Sequence, residues 1–475
     1  MGCAEVISVP KVRARKHWAT LRQQRHERFD QWLDGLEARL PASQPTLPEG
    51  TQAVWALRQQ WTGSLTEAVI QHAYPPEEAL PHAPCPPCAP SVTARRPVTR
   101  TLDTMLGPVQ VCRPDFYCVS CQRGFYPLDE TLELARGRKQ FEGQQAAAQL
   151  ATAVPYATAQ TFFVDLTGVP LGTERMPTLT HQMAADLTVL AVAPSRQAIT
   201  STVTTIAAQP CRRPIRVLAI DGAHVPTRPA TARGPRPGRQ RQRAKRARWK
   251  GQYREAQGVR CYRLDGDRIV HGLSGHQVQD DQARAEALRQ GREAGRLPED
   301  LVRLCLVADG APWIWNQVPA IFPHARQVWD YYPGAQPVHA LATEQYGQSL
   351  QAREWTEATL ARLFCGAVGR VSGGLKRMEA AAGAAAKAID RVLGYLQAQR
   401  HRINYGAQRR EGYPLGSGGI ESATKFIGHV RLKRSGAWGY KTNSNQMLAL
   451  RCAKYNGTFE HVFARYQQRC QEAKK

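Results

Sequence analysis

Two short apolar runs, each closed by Asp-Gly, constrain this chain more than any other feature. Ile215-Arg216-Val217-Leu218-Ala219-Ile220 ends in Asp221-Gly222, and Leu304-Cys305-Leu306-Val307-Ala308 ends in Asp309-Gly310. A short run that is apolar at almost every position, without alternation, is the pattern of a strand buried on both faces. Such strands sit in sheets covered by helices, and the carboxylate is then expected at the strand's C-terminal end, where open α/β sheets keep their chemistry. Between the runs, Tyr262 to Leu273 alternates about an Asp265-Gly266 turn as a hairpin, and 280–295 has the character of a helix. A further strand, Arg326-Gln327-Val328-Trp329, also ends in an aspartate, Asp330.

The order strand, hairpin, helix, strand, helix, strand is that of an α/β ribonuclease-H-like mixed sheet. In such a sheet the first and fourth strands are neighbours, which would bring Asp221 and Asp309 together. A single strand-terminal aspartate is most often a turn or cap residue. Two in matching positions point instead to a pair of carboxylates serving one site. Phosphoryl transfer on nucleic acid needs a third carboxylate, so that two hard cations about 3.5–4 Å apart can be held. Gly416-Ser417-Gly418-Gly419-Ile420-Glu421-Ser422-Ala423 opens a helix in which Ile420, Ala423, Ile427 and Val430 are expected to share one face, with Glu421 beside it. The competing reading of Glu421 is a carboxylate placed to suit a helix N-terminus.

The twelve cysteines are scattered, with one exception. Cys85-Pro86-Pro87-Cys88 and Cys118-Val119-Ser120-Cys121 form two C-x-x-C knuckles separated by a strand-like segment. Each knuckle can place two thiolates on one edge of a tetrahedral Zn²⁺, and the intervening hairpin brings the pairs together. One structural zinc ribbon is therefore expected, with no open metal position for catalysis, and Cys112 is expected to pack within the hairpin. Four unrelated buried thiols are the alternative. Thiols spread over so long a chain suit a reducing compartment; no run of 18 or more apolar residues appears, and the opening residues run into Lys11, Arg13, Arg15 and Lys16 without an apolar core, so neither membrane spanning nor secretion is expected.

Lys plus Arg number 64 against 39 Asp plus Glu, a net charge of +25 that favours a polyanionic partner. The densest stretch is the loop 228–254, centred on Arg239, Arg241, Arg243, Lys245, Arg246, Arg248 and Lys250 and broken only by Trp249 and Tyr253. Cations on phosphates release counterions, so this loop is expected to give a sequence-independent, salt-sensitive grip on DNA; the alternative is a solvated loop. The chain reads as helical over 1–80, a zinc ribbon over 81–130, short helices over 131–205 that form either a helix-turn-helix or a plain helical subdomain, the first part of the core over 206–335, an all-helical insertion over 336–410, and core completion with the Glu421 helix and a C-terminal helix over 411–475.

Taken together, Leu218-Ala219-Ile220-Asp221-Gly222, Val307-Ala308-Asp309-Gly310-Ala311 with Trp313-Ile314-Trp315-Asn316, Asp330-Tyr331-Tyr332, and the Gly416 to Ala423 segment running into Arg431-Leu432-Lys433-Arg434-Ser435-Gly436-Ala437-Trp438 resemble bacterial insertion-sequence DDE transposases of the ISKra group. The resemblance covers about residues 80–465. It implies a catalytic triad of Asp221, Asp309 and Glu421 holding two Mg²⁺ or Mn²⁺, cutting and joining of double-stranded DNA at the element's terminal inverted repeats and at a target, and a homo-oligomer on DNA in the bacterial cytoplasm at the nucleoid. Arg431, Lys433, Arg434 and Trp438 are then expected to meet DNA. A decayed or recruited copy acting only as a sequence-specific DNA-binding protein is the other reading. The sequence departs from the group at Pro333, where relatives usually carry His, and at Gly439, where a second Trp is usual.

Overall fold

The computed structural model describes residues 15–40, 44–207, 213–229, 250–266, 268–297, 299, 301–434 and 437–473. Arg239, Arg241, Arg243, Lys245, Arg246 and Arg248 of the basic loop lie outside them. The chain forms two compact units, Met1–Met183 with His461–Lys475, and Ala184–Glu460. Among the described residues no helix is long and apolar enough to cross a membrane.

In the first unit, helices Arg15–Glu37 and Leu47–Ala73 pair. Phe29, Trp32 and Trp61 pack between them, and Glu67 takes Arg28 at 2.8 Å. A hairpin of Pro97–Thr104 and Gly107–Pro114 follows, its inward row of Leu102, Val109 and Val111 closed by Leu128 and Leu134. Cys112 sits half-buried in that hairpin opposite Thr99. Three helices, Phe141–Ala153, Tyr156–Thr167 and Arg175–Met183, enclose Ala147, Ala151, Ala159, Phe163 and Met176. Gly168, at φ +71°, ends the second of them, a left-handed conformation that side-chain-bearing residues rarely adopt.

The second unit is built on one mixed sheet. Its strands are β1 (Ile215–Arg228), β2 (Gln252–Asp265), β3 (Arg268–Gln277), β4 (Arg303–Ala308) and β5 (Arg326–Trp329), in the spatial order β5-β4-β1-β2-β3. The first three form an antiparallel meander, and β4 and β5 run parallel to β1. Helix α1 (Asp281–Glu293) leads from the meander towards β4, and α2 (Pro312–Ile321) joins β4 to β5. Five helices follow: α3 (Tyr331–Tyr346), α4 (Leu350–Phe364), α5 (Val368–Lys376), α6 (Gly383–Ala398) and α7 (Tyr405–Arg410). Their buried faces, with Val338, Leu341, Leu363, Val392 and Leu396, join the core that Leu218, Ile220, Leu304 and Leu306 form on one side of the sheet. The insertion is thus part of the core and not a satellite, because its helices bury their apolar stripes in the same cluster as the sheet residues.

One expectation needs correction. β1 does not stop at Asp221 but runs seven residues further to Arg228, paired with β2 as far as Thr227 and at Thr227 and Arg228 with β6 (Gly439–Tyr440). Asp-Gly reads as a turn in sequence, but here it lies in mid-strand. The glycine leaves room for the Glu255 carboxylate, whose Oε1 would lie 2.0 Å from a Cβ at position 222.

Candidate metal centres

Two groups of metal-ligating side chains stand out, one in each unit. In the first unit each knuckle lies in the turn of a small hairpin: Cys85 and Cys88 between His82–Pro84 and Ser91–Thr93, Cys118 and Cys121 at the turn joining Phe116–Cys118 to Arg123–Phe125. The residue after each second cysteine is left-handed, Ala89 at φ 63° and Gln122 at φ 54°. Two non-glycine residues in that conformation, at equivalent places, mark tightly wound turns that aim both sulfurs of a pair inwards. Cys85 Sγ lies 3.5 Å from Cys121 Sγ and Cys88 Sγ 3.4 Å from Cys118 Sγ, and all four lie within 4.8 Å of one another. A tetrahedron of sulfurs at Zn–S distances of about 2.3 Å has edges of roughly 3.8 Å, so the four cysteines could hold one Zn²⁺. The thiols also compete for ionisation: the Cys121 backbone N–H holds Cys118 down at about 6, while its hydrogen bond to Cys118 pushes Cys88 up and burial pushes Cys121 up. A cation at the centre would remove that competition.

The carboxylate group of the second unit is set by strand register. Ala308 pairs with Ile220 on one side and with Trp329 on the other. The next residue in each strand direction is an aspartate, so Asp330, Asp309 and Asp221 stand level on three adjacent parallel strands, which are about 4.8 Å apart. Side-chain alternation decides their face. Val217, Ala219, Cys305, Val307 and Val328 are buried on the side covered by Ile420, and the three aspartates continue those rows. Ile420 belongs to α8 (Gly418–Thr424), so Glu421 is on the same side of the sheet. Gly419 lets α8 lie this close, because a Cβ there would stand 2.5 Å from the Tyr262 ring.

Burial and neighbouring charge act together on Asp221. Asp221, half-buried, is pushed up to about 6, chiefly by burial and further by the charges of Asp309, Glu421 and Asp330, against the opposing hydrogen bond from the Gly222 N–H at 2.8 Å. Asp309 accepts from the Ala311 N–H at 3.1 Å. Glu421 is exposed and pairs with Lys425 at 3.3 Å, an i,i+4 ion pair worth a few tenths of a kcal/mol. The oxygen donors suit a hard divalent cation. They are nevertheless spread more widely than the sulfurs: among the described residues no other set of three His, Cys, Asp or Glu comes within 4.8 Å as the cysteines do.

Beyond Thr424 the helix makes a π turn, Lys425–His429, before resuming at Val430–Leu432. One extra residue per turn rotates everything after it by about 100°. Val430, expected on the buried face with Ile420, Ala423 and Ile427, is therefore 48 % exposed, and Arg431, expected to meet DNA, is buried. Lys433 and Arg434 remain exposed. Arg451, on α9 (Lys441–Tyr455), donates to the carbonyls of Phe426 (Nη2) and Ile427 (Nε, 2.7 Å), within the π turn.

Trp438 lies over Gly251, where a Cβ would stand 2.3 Å from the indole, and meets Tyr253 edge to face at 5.3 Å. The Arg228 guanidinium covers the Tyr440 ring at 4.1 Å, and Lys250 is exposed. Arg228, Lys250, Tyr253, Trp438 and Tyr440, on β1, β2 and β6 or directly before them, thus make a cationic, aromatic platform at the base of the basic loop. Lys250 and Trp438 are among the expected DNA contacts; Tyr253, in sequence only a break in the basic stretch, is 61 % exposed, and its place opposite Pro226 in the β1/β2 register brings it there. Comparison with known proteins finds no family model and no curated protein that matches this chain.

Proposed function

We propose that the protein is a DNA transposase of an insertion sequence, with a ribonuclease-H-like core that cuts and joins DNA at the element's ends. The observation that carries this reading is the level row of Asp221 and Asp309 on adjacent parallel strands, facing the helix of Glu421. Strand order supports it, since a three-strand meander flanked by two parallel strands is the sheet such a core uses. A protein with no use for cations has little reason to place like charges together, because each raises the free energy of ionising the next.

Asp221, Asp309 and Glu421 would hold Mg²⁺ or Mn²⁺ through hard oxygen donors. Bound divalent cations would supply the Lewis acidity that activates an attacking oxygen and stabilises the leaving 3′-oxygen. Lys433, Arg434 and the platform around Trp438 would grip phosphates and stack on bases, and the net charge of +25 would add a sequence-independent attraction. The zinc ribbon and the three helices after it, read as a helix-turn-helix, would recognise the terminal repeats.

The test is incubation of the purified protein with its own element ends and Mg²⁺. End-specific cuts followed by joining support the reading; nicking without joining indicates a nuclease. Retention of DNA without any cut supports a second reading, a DNA-binding protein without catalysis, which two observations favour. Pro333 occupies the first turn of α3 beside Asp330 where relatives would carry His, and the carboxylates are not gathered as tightly as the thiols.

A further inference from the structure

We propose that Asp330 is not a third aspartate ligand of the row but the residue that positions the Glu421 helix against it. The inference rests on the metal-binding reading of Asp221, Asp309 and Glu421. Asp330 is level with the other two aspartates, so by place alone it belongs among the ligands. Its surroundings differ. It is 3 % exposed, and both carboxylate oxygens are engaged: Oδ1 accepts the Tyr332 N–H at 3.0 Å, while Oδ2 accepts the Ser417 N–H at 2.9 Å and the Ser417 hydroxyl. A carboxylate whose lone pairs already take three donors has little left to offer a cation.

What those donors belong to gives the function. Ser417 is the N-cap residue of α8 and stands four residues before Glu421. Its side chain does not cap its own helix, because the hydroxyl is turned to Asp330. The adjacent backbone repeats the connection, with the Tyr331 N–H on the Leu415 carbonyl at 2.9 Å, and the Asp330 N–H on the Ala308 carbonyl at 2.9 Å continues it to β4. The end of β4, which carries Asp309, is thereby linked through Asp330 to the start of the helix that carries Glu421, across a sequence separation of 87 that spans the helical insertion. Further along, Arg260 donates to the Gly419 carbonyl and the Ser422 hydroxyl, and His276 meets the Thr424 hydroxyl at 3.2 Å. Asp330 holds the first residue, and these side chains fix the body of the helix.

Mn²⁺ binding to the full-length protein, followed by electron paramagnetic resonance, tests this with six variants. Asp221→Asn and Glu421→Gln report the metal site itself and should weaken Mn²⁺ more than a hundredfold. Asp330→Asn sets an amide N–H against one of those donors, from Tyr332 or Ser417, and Ser417→Ala removes the hydroxyl; each should weaken Mn²⁺ by about tenfold, although Ser417 is no ligand. Ser417→Thr keeps the hydroxyl and should bind as the parent does. The double variant Asp330→Asn/Ser417→Ala should be no weaker than Asp330→Asn alone, since the two act as one unit. The proposal is overturned if Ser417→Ala binds Mn²⁺ like the parent while Asp330→Asn loses it as completely as Asp221→Asn, which would make Asp330 a ligand, or if the two effects simply add. If Asp221→Asn and Glu421→Gln leave Mn²⁺ affinity unchanged, the metal-binding reading has failed. Amide exchange over 417–424 then decides the positioning role alone: faster exchange in Asp330→Asn and Ser417→Ala upholds it, and unchanged exchange overturns it. Ser417→Ala and Ser417→Thr alter a half-buried side chain, so they carry the test even if Asp330→Asn does not fold.

Discussion

The thiolate cluster and the carboxylate row solve the same problem of gathering like charges in opposite ways. In the first unit, ligands come in pairs three residues apart, and two tight turns with left-handed Ala89 and Gln122 aim them at a common point. In the second, each carboxylate comes from a different element, and strand register plus one helix brings them to one face. Local turns hold four sulfurs close enough to ligate one ion. Register aligns backbones but leaves the side chains spread and mutually repelling. Short-range geometry thus preforms the sulfur cluster, whereas the carboxylate row depends on pairing between strands far apart in the chain.

The largest effect that would sharpen this contrast is on cleavage. Asp221→Asn, Asp309→Asn and Glu421→Gln should each lower Mg²⁺-dependent cutting of element ends by about 10³-fold or more while DNA affinity, measured by gel shift, stays within about threefold. Cutting that survives any of the three would break the proposed triad. Next comes the zinc. Cys85→Ser or Cys118→Ser should release about one Zn²⁺ per chain by elemental analysis and loosen the first unit, leaving the sheet of the second folded by circular dichroism. Stoichiometric zinc in the quadruple serine variant would mean the cysteines are not its ligands.

A smaller effect concerns the basic loop. Replacing Arg239, Arg241, Arg243, Lys245, Arg246, Arg248 and Lys250 with Gln should weaken binding to all DNA sequences alike, and the log–log salt dependence should flatten by about one unit for each phosphate left without its cation. An unchanged slope would leave the loop without a partner.

The smallest effect separates the repelling row from the cluster by pH. Asp221 is held at about 6 in the fold against an ordinary carboxylate value near 4, so the folded state binds its proton more tightly than the unfolded chain does. The metal-free protein should accordingly lose stability as pH rises from about 4 to 6 and carry the full penalty above that. Asp221→Asn removes it. Its melting temperature should exceed the parent's by a few degrees at pH 7–8, corresponding to about 1–2 kcal/mol after solvent screening, with the gain absent below about pH 4. A gain independent of pH would point to packing instead of charge.

Several of these features are legible in the sequence. Apolar runs, the alternating hairpin and the C-x-x-C pairs identify the strands near 215, 262, 304 and 326, the helical insertion, and the four cysteines, because side-chain periodicity and short turns are local properties of the chain. What the sequence could not supply was how those pieces align. The continuation of β1 past Asp221 depends on a partner strand that pairs with it to Thr227, and a mid-strand Asp-Gly is indistinguishable from a turn until that partner is in place. The π turn that buries Arg431 and exposes Val430 depends on carbonyls satisfied by Arg451, a residue on another helix. Asp330 reads in sequence as one more strand-terminal aspartate. Only the tertiary structure levels it with Asp221 and Asp309 and then occupies its oxygens with Ser417, because hydrogen bonds between residues far apart in the chain set register, and periodicity within a strand carries no information about its neighbour.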